Sequence, residues 1–370
     1  MFPADFAYVR ARTLDEALDL LDEAHADDQE AKLIAGGQSL LPMMKLRLAA
    51  PQVLIDIAEL AELRGGGWTG YAAGGSFCGS LGALSTYRYL GRHALLAGGV
   101  IRGRQENVAT RHADGIPAVT DVLKVLADPQ VRARGTIGGA VAHGDPASDL
   151  PAVLLALNAE LTIAFRKGRH QESRPGPYGP RSTGREPSDI GRREISLDDF
   201  LQGIYTTDLA EDEIITHVSI RHPGGRASAY EKFPHPASHL PLAGVAAVLT
   251  FTGGTYAGED GHVTDLADAS PADARIASAA IAVTGISPRP YRARAAEALL
   301  RGAFPTQETL AAAAAQVTAE ASGDRISLLG DQHASADYRA HLAEVLTRRA
   351  LAKAIARGDR GDRGDQGDRS

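Results

Sequence analysis

The sequence predicts an α+β fold built from more than one folding unit, and three observations carry that expectation. Apolar residues recur with a helical period in some stretches and as short unbroken or alternating runs in others. Strand-like runs precede two long helical patterns in the last third of the chain, the order typical of α+β architecture. Pro223-Gly224-Gly225 interrupts the pattern between the two parts and marks a boundary. With 370 residues the chain suffices for two or three domains of about 100–200 residues each.

Taken in order, Thr13-Leu14-Asp15-Glu16 has the form of a capping box, with the Thr side chain bonding the N3 amide and Glu16 bonding back. Leu14, Ala17, Leu18 and Leu21 then share one face, so a helix runs to about Ala24. Residues 33–35 read as a short buried strand that stops at Gly36 and Gly37. Residues 40–48 read as helical, with Pro42 fitting the first turn, and residues 53–57 as a second strand. Residues 65–70 match the spacing G-x-G-x-x-G, yet no helical pattern follows them. They read as a flexible turn and not as a dinucleotide fingerprint. Cys78 reads as a free, mostly buried thiol.

Asp149 reads as the N-cap of a helix through residue 155, with Pro151 tolerated in its first turn. Residues 160–165 read as a strand. Residues 169–193 are rich in Gly, Pro, Ser and Arg and read as a loop. Residues 214–220 alternate like a strand. Past the boundary, strands are expected at 242–251, 262–266 and 279–284, and helices at 306–321 and 336–356. The last of these has Tyr338, Leu342, Val345, Leu346 and Ile355 on its apolar face. Residues 358–370 repeat Gly, Asp and Arg, have nothing apolar to bury, and predict a disordered tail.

Composition narrows the function. The net charge of −7 argues against a nucleic-acid binder, which would carry a basic patch. The single cysteine excludes an internal disulfide and also an iron–sulfur cluster held by this chain alone, since a cluster needs four ligands. No secretory leader and no apolar run of about 20 residues is present, so a cytoplasmic protein without a membrane span is expected. No zinc-protease pair, nucleophile elbow or phosphate-loop lysine occurs. His112 and Asp114 read as solvated loop residues, and Pro236 spoils the helical face that His235 and His239 would need, so neither pair is read as a metal site. No catalytic side chain of the protein stands out.

Two stretches carry positive information. In the first, Gly36-Gly37 followed by Gln38-Ser39 forms a turn that aims successive backbone amides outward, and such a nest binds anions, phosphate above all. A tight strand-to-helix turn with no ligand is the alternative. The second, Thr136-Ile137-Gly138-Gly139-Ala140, is another Gly-Gly turn preceded by a hydroxyl. Two such loops can close on one pyrophosphate from both sides.

At this point a resemblance becomes specific. AGGQSLLPMMKLRLAAPQVLIDI, ADPQVRARGTIGGAVAHGDPASDLPAVLLAL and YEKFPHPASHLPLAGVAAVL resemble, in this order, the FAD-binding middle subunit of the molybdenum hydroxylases. Aerobic carbon monoxide dehydrogenase, aldehyde oxidase and xanthine dehydrogenase belong to that family. The likeness extends from Phe2 to about Arg357. It implies a two-lobed FAD-binding domain of the type shared with vanillyl-alcohol oxidase-like flavoproteins over residues 1–222, with lobes of about 1–62 and 63–222. A smaller α+β C-terminal domain of the carbon monoxide dehydrogenase flavoprotein type is implied for 223–357.

The resemblance also implies roles. Ala35, Gly36, Gly37, Gln38 and Ser39, flanked by Leu33, Ile34 and Leu40, and Thr136, Ile137, Gly138, Gly139 and Ala140 would hold the FAD pyrophosphate through backbone amides. Asp149 would contact the cofactor. Ile215 and Lys232 would lie near its adenine or isoalloxazine side. FAD would be non-covalent, with molybdopterin on a large partner subunit and 2Fe–2S clusters on a small one, assembled as a dimer of heterotrimers. The chain would take electrons from the clusters and pass them to an external acceptor. A free-standing FAD oxidoreductase, or a non-catalytic assembly subunit with a decayed flavin site, are the alternatives. Three departures from the family pattern stand out: Ala140 where Asn is usual, His239 where Arg is common, and an extra segment at 98–122.

Overall fold

The computed structural model describes residues 2–72, 76–92, 99–102, 109–112, 116–167, 189–222, 227–252, 274–323 and 326–360. The expected strand at 262–266 and the boundary triplet Pro223-Gly224-Gly225 lie outside the described residues, as do most of the expected loop at 169–193 and residues 361–370 of the expected tail.

The chain starts with a small parallel sheet. Strands β1 (Ala7–Arg10), β2 (Ala31–Ile34) and β3 (Val53–Asp56) lie in the order β1-β3-β2. Helix α1 (Leu14–Ala26) connects the first two. The Thr13 side chain accepts from the Glu16 amide as expected, while the Glu16 carboxylate reaches the Arg12 amide at 2.7 Å. Leu14, Ala17, Leu18 and Leu21 pack with Ile55, Ile57, Leu60 and Leu63 in one core. β1 has no apolar pattern that a sequence reading can detect, because most of its side chains face solvent. β2 is half-buried and not buried as expected, since it lies at the edge of its sheet and only β3 is central. Helix α2 (Leu40–Lys45) is shorter than the expected 40–48, because Arg47 turns to a positive φ of 62° and ends it.

The second sheet is antiparallel. It holds β4 (Gly66–Ala72), β5 (Ser76–Gly82), β8 (Glu160–Arg166), β9 (Ile190–Ser196) and β12 (Ile214–His222) in the order β4-β5-β12-β8-β9. The G-x-G-x-x-G run therefore lies in and beside a strand. It is not a dinucleotide fingerprint, and it is not a flexible turn either. β9 reclaims Arg192 and Arg193 from the expected loop by pairing with β8, and Arg193 meets Glu213 at 2.6 Å and Asp208 at 3.1 Å. Within 98–122, β6 (Gly99–Arg102) and β7 (Ala109–His112) pair as a hairpin. Between β9 and β12, β10 (Leu201–Gly203) and β11 (Thr206–Thr207) form a second hairpin.

The third sheet, β13 (Ser228–Pro234), β14 (Pro241–Phe251), β15 (Ile276–Thr284) and β16 (Tyr291–Arg292), is antiparallel and follows sequence order. β14 is an almost unbroken apolar run because it is buried on both faces. On one side it meets the final helix Ala336–Arg360, while Arg294–Leu300 packs on β15 and Gln307–Ala315 packs against both helices. The other side meets the helix Asp149–Ala156, every residue of which is buried. Leu150, Val153 and Leu154 share one core with Leu161, Ile163 and Val218 of the second sheet and with Ala246, Val248 and Ala282 of the third. The second and third sheets are thus packed through a common helix.

The helix Gln307–Ala315 ends before the expected residue 321. The final helix, in contrast, runs on to Arg360, past the expected 356 and into the first residues of the expected tail. Its end is tied down. The Arg357 guanidinium meets both oxygens of the buried Asp121 carboxylate at 2.7 and 2.8 Å. Lys353 lies 3.3 Å from the same carboxylate and 2.7 Å from Glu231. Burial by itself would raise the Asp121 pKa, but the hydrogen bonds from Arg357 and the Tyr230 amide, with the charges of Arg357 and Lys353, hold it below the ordinary value. Among the described residues, no helix is long and apolar enough to cross a membrane.

A folded pKa below the unfolded one adds stability above the unfolded value, and this is lost as pH falls through the folded value. Arg357→Met should therefore cost about 1–3 kcal/mol near neutral pH, with mutant and wild type converging in acid. Urea unfolding at a series of pH values checks this; a gap that stays constant into acid would contradict the assignment.

Candidate functional site

The loop between β2 and α2 is built around one residue that only glycine fills cheaply. Gly37 has φ of 72°, in the left-handed region. Leu41 donates to the Gly37 carbonyl and Met43 to that of Ser39, which starts α2. Among the described residues, no acceptor is bonded to the amides of Gly36, Gly37, Gln38, Ser39 or Leu40, and Ser39 offers no side-chain cap. A run of donors left open in this way favours an anion, because unpaired amides gain most from a charged acceptor.

The second Gly-Gly stretch is built differently. It is the first turn of the helix Ile137–His143, capped by the Thr136 side chain, which accepts from the Gly139 amide at 3.2 Å. The Ile137 amide donates to Ser85, that of Gly138 to Ala83, and that of Ala140 to Thr136. The amides from Ile137 to Ala140 are therefore already bonded within the chain. Among the described residues, only the Thr136 amide and hydroxyl proton have no acceptor. Gly138 is helical and has no positive φ. Its constraint is close packing: a Cβ there would lie 2.6 Å from the Ala83 Cβ and 2.9 Å from the Ala83 carbonyl oxygen.

The two stretches touch. A Cβ on Gly36 would lie 2.2 Å from the Arg134 carbonyl oxygen and 3.1 Å from the Gly135 Cα. The open amides of the first loop thus adjoin the Thr136 edge of the second. Leu33 and Ile34 belong to β2, Ala35 packs beneath the loop against the first core, and Leu40 opens α2.

Asp149 is the first residue of its helix, and the N-cap position falls to Ser148. The expected cap is overturned because the carboxylate turns toward β13 instead. One oxygen accepts from the Tyr230 hydroxyl at 2.6 Å and the other from Lys232 Nζ at 2.7 Å. Both members of the ion pair are buried, with side chains only 3% and 5% exposed. Burial pushes the Asp149 carboxyl up, with Asp145 adding to the effect, against the pull of Lys232 and Tyr230. Lys232 is thus brought to Asp149. Ile215 lies in β12 opposite Ile163, inside the main core. It neighbours Thr216, whose carbonyl holds the amide of Ala83. His239 takes φ of 58° in the β13–β14 connection. Sequence reasoning left Tyr230 without a role; its place two residues before Lys232 puts both on one face of a strand, which is the signal that would have found it. Among the described residues, no group of three or more His, Cys, Asp or Glu could hold a metal.

The fold and the anion cradle define an α+β protein made to bind a phosphate-bearing cofactor. Residues 4–174 match the model of the FAD binding domain in molybdopterin dehydrogenase, and residues 228–354 that of the CO dehydrogenase flavoprotein C-terminal domain. The chain is 33% identical over 360 residues to the carbon monoxide dehydrogenase medium chain of Hydrogenophaga pseudoflava, covering 96% of this chain and 99% of that one. It is 32% identical to the nicotine 6-hydroxylase medium subunit of Paenarthrobacter nicotinovorans, over 95% and 97% of the two chains. In structure it superposes on carbon monoxide dehydrogenase from Hydrogenophaga pseudoflava with a TM-score of 0.71 at 31% identity, covering 97% of this chain and 100% of that one. Quinoline 2-oxidoreductase from Pseudomonas putida 86 gives 0.68 at 26% identity, over 96% and 99%. The chain belongs to the FAD-binding medium subunits of the molybdenum hydroxylases, the oxidoreductases of carbon monoxide dehydrogenase and xanthine dehydrogenase type.

Lys232→Met should leave Asp149 buried without its cation and cost about 3–5 kcal/mol at neutral pH. The remaining carboxyl is relieved by taking up a proton. Its folded pKa then lies further above the unfolded one, so stability should return in part as pH falls through the folded value. Adding Asp149→Asn should restore most of the loss at neutral pH. Denaturant melts of the single and double variants read both effects.

Proposed function

We propose that this chain is the electron-transfer subunit of a molybdenum hydroxylase complex, holding FAD non-covalently where the 36–40 loop meets Thr136. The observation that carries the reading is the row of open amides from Gly36 to Leu40, set against a backbone contact that leaves no room for a side chain at Gly36. The residues present fit a dinucleotide: the amides donate to phosphate oxygens, and the Thr136 amide and hydroxyl add donors from the opposite side. Gly138 holds the Thr136 edge in place by packing on Ala83. The buried Asp149–Lys232 pair locks β13 onto the helix Asp149–Ala156, and Ile215 stiffens the strand beneath. FAD, when bound, supplies the redox chemistry, and the protein binds and orients it.

The division of labour with partner subunits follows from the single cysteine, Cys78, which cannot hold a cluster. Clusters of the 2Fe–2S type would reside on a small partner and molybdopterin on a large one. The names of relatives, medium chains and medium subunits, support such an assembly. A dimer of heterotrimers in the cytoplasm is the arrangement the resemblance implies.

The purified chain, alone or with its partners, should release FAD into the supernatant on acid precipitation. A colourless protein that takes up no added FAD would overturn the reading. Gly36→Ala should lower flavin content by forcing Arg134 away from the loop. In the assembled complex this variant should stop reduction of the external acceptor, while an artificial dye still draws electrons from the clusters. Turnover of a small organic substrate with oxygen by the isolated, FAD-loaded chain would replace this reading with a free-standing oxidoreductase.

A further inference from the structure

Tyr87 stands at the seam between the two Gly stretches and has no role in the site as described so far. It begins a short helix, Tyr87–Leu90. Its amide donates to the Gly135 carbonyl at 3.0 Å, beside the bridge that pairs Thr86 with Thr136. Its ring fills the space that a Gly135 side chain would need: a Cβ there would lie 2.5 Å from Tyr87 Cε2 and 3.1 Å from Cδ2. Gly135 in turn follows the Arg134 carbonyl that Gly36 approaches, and its Cα would lie 3.1 Å from a Cβ on Gly36. The ring is packed against the main core.

The hydroxyl is the unexplained part. Among the described residues, it has no hydrogen-bond partner. Tyr87 as a whole is half-buried, so it is not sealed in the interior. A phenol used only for packing would serve as well without its oxygen. Burial and the negative charge of Asp149 both push the Tyr87 phenol up. It therefore stays protonated and is a donor over the whole working range, which suits an anionic acceptor. The open amides of Gly36 to Leu40 and the free Thr136 donors lie along the same seam.

We propose that Tyr87 is a further cofactor-contact residue, whose hydroxyl donates a hydrogen bond to a phosphate oxygen of bound FAD at the Gly36–Gly135 seam. This rests on the FAD reading above and adds a side-chain donor to a site otherwise described through its backbone. The phosphate linker is then gripped by main-chain amides on one side and by a neutral phenol on the other.

The test is Tyr87→Phe in the full chain, which keeps the ring against Gly135 and removes only the oxygen. The flavin-free variant should melt at the same temperature as the flavin-free wild type. Its Kd for FAD, from quenching of flavin fluorescence, should rise about tenfold, as for loss of one hydrogen bond to a charged group. The ³¹P resonances of bound FAD should shift, while the visible absorbance bands of the isoalloxazine stay in place. An unchanged Kd or unmoved ³¹P resonances, with wild type binding FAD normally, would overturn the role of Tyr87 and leave the FAD reading standing. A wild-type chain that binds no FAD would overturn both. Should the Phe variant fold poorly, incorporation of 3,5-difluorotyrosine, which keeps the oxygen but acidifies the phenol, lowers the pH at which FAD affinity falls away relative to the wild type if the donor is used. An affinity–pH profile identical to that of the wild type would again overturn it.

Discussion

The Gly36 backbone lies against the Arg134 carbonyl so closely that a Cβ would come within 2.2 Å of it. The arrangement of the site depends on this contact. It brings the end of the parallel three-stranded sheet onto the turn that precedes the helix Ile137–His143, and it sets the open amides of one segment beside the Thr136 donors of the other. Two segments about a hundred residues apart become one cradle without any side chain between them. A methyl group at Gly36 would wedge them open, so the constraint is steric and not conformational. Gly37, one residue on, is the reverse case: its φ of 72° is the reason for glycine there.

The two Gly-Gly stretches look alike and do different work. In the first, the chain leaves a strand and enters a helix without satisfying its own donors. In the second, Ser85, Ala83 and Thr136 accept the amides that an open loop would leave free. Gly138 is small so that the helix can pack on Ala83, and Thr136 is the cap that starts it. One stretch keeps its amides open, and the other is chiefly the wall that holds Thr136 beside them.

A second constraint ties the site to the C-terminal part of the chain. The helix Asp149–Ala156 is buried on all sides, between the five-stranded sheet and the β13–β16 sheet. At its first residue, Asp149 meets Lys232 and Tyr230 of β13. A buried ion pair is a poor source of stability but a strong source of uniqueness in some folds, since only one arrangement leaves neither charge unpaired. The same Tyr230 donates through its amide to Asp121, where Arg357 and Lys353 repeat the device and carry the last helix to Arg360. The C-terminal part is thus docked at two charged points.

The sequence by itself determined the local elements and the family. The Thr13 cap, the helical face of Leu14 to Leu21, the apolar run of β14 and the order of three motifs are properties of neighbouring residues, and neighbours are all that a linear pattern records. The single cysteine likewise excluded a cluster on this chain before any fold was known. What only the tertiary structure decided are the relations between distant residues. That the amides of Ile137 and Gly138 are spent on Ser85 and Ala83 depends on the segment that follows β5, some fifty residues earlier. Asp149 lost its expected cap to Ser148 because a lysine and a tyrosine about eighty residues later offered its carboxylate stronger partners in a dry interior. Residues 66–70 became part of a strand, against their turn-like composition, because β5 lay alongside to pair with them. In each case a long-range contact outweighed a local preference, because burial makes a hydrogen bond left unmade cost more than a propensity is worth.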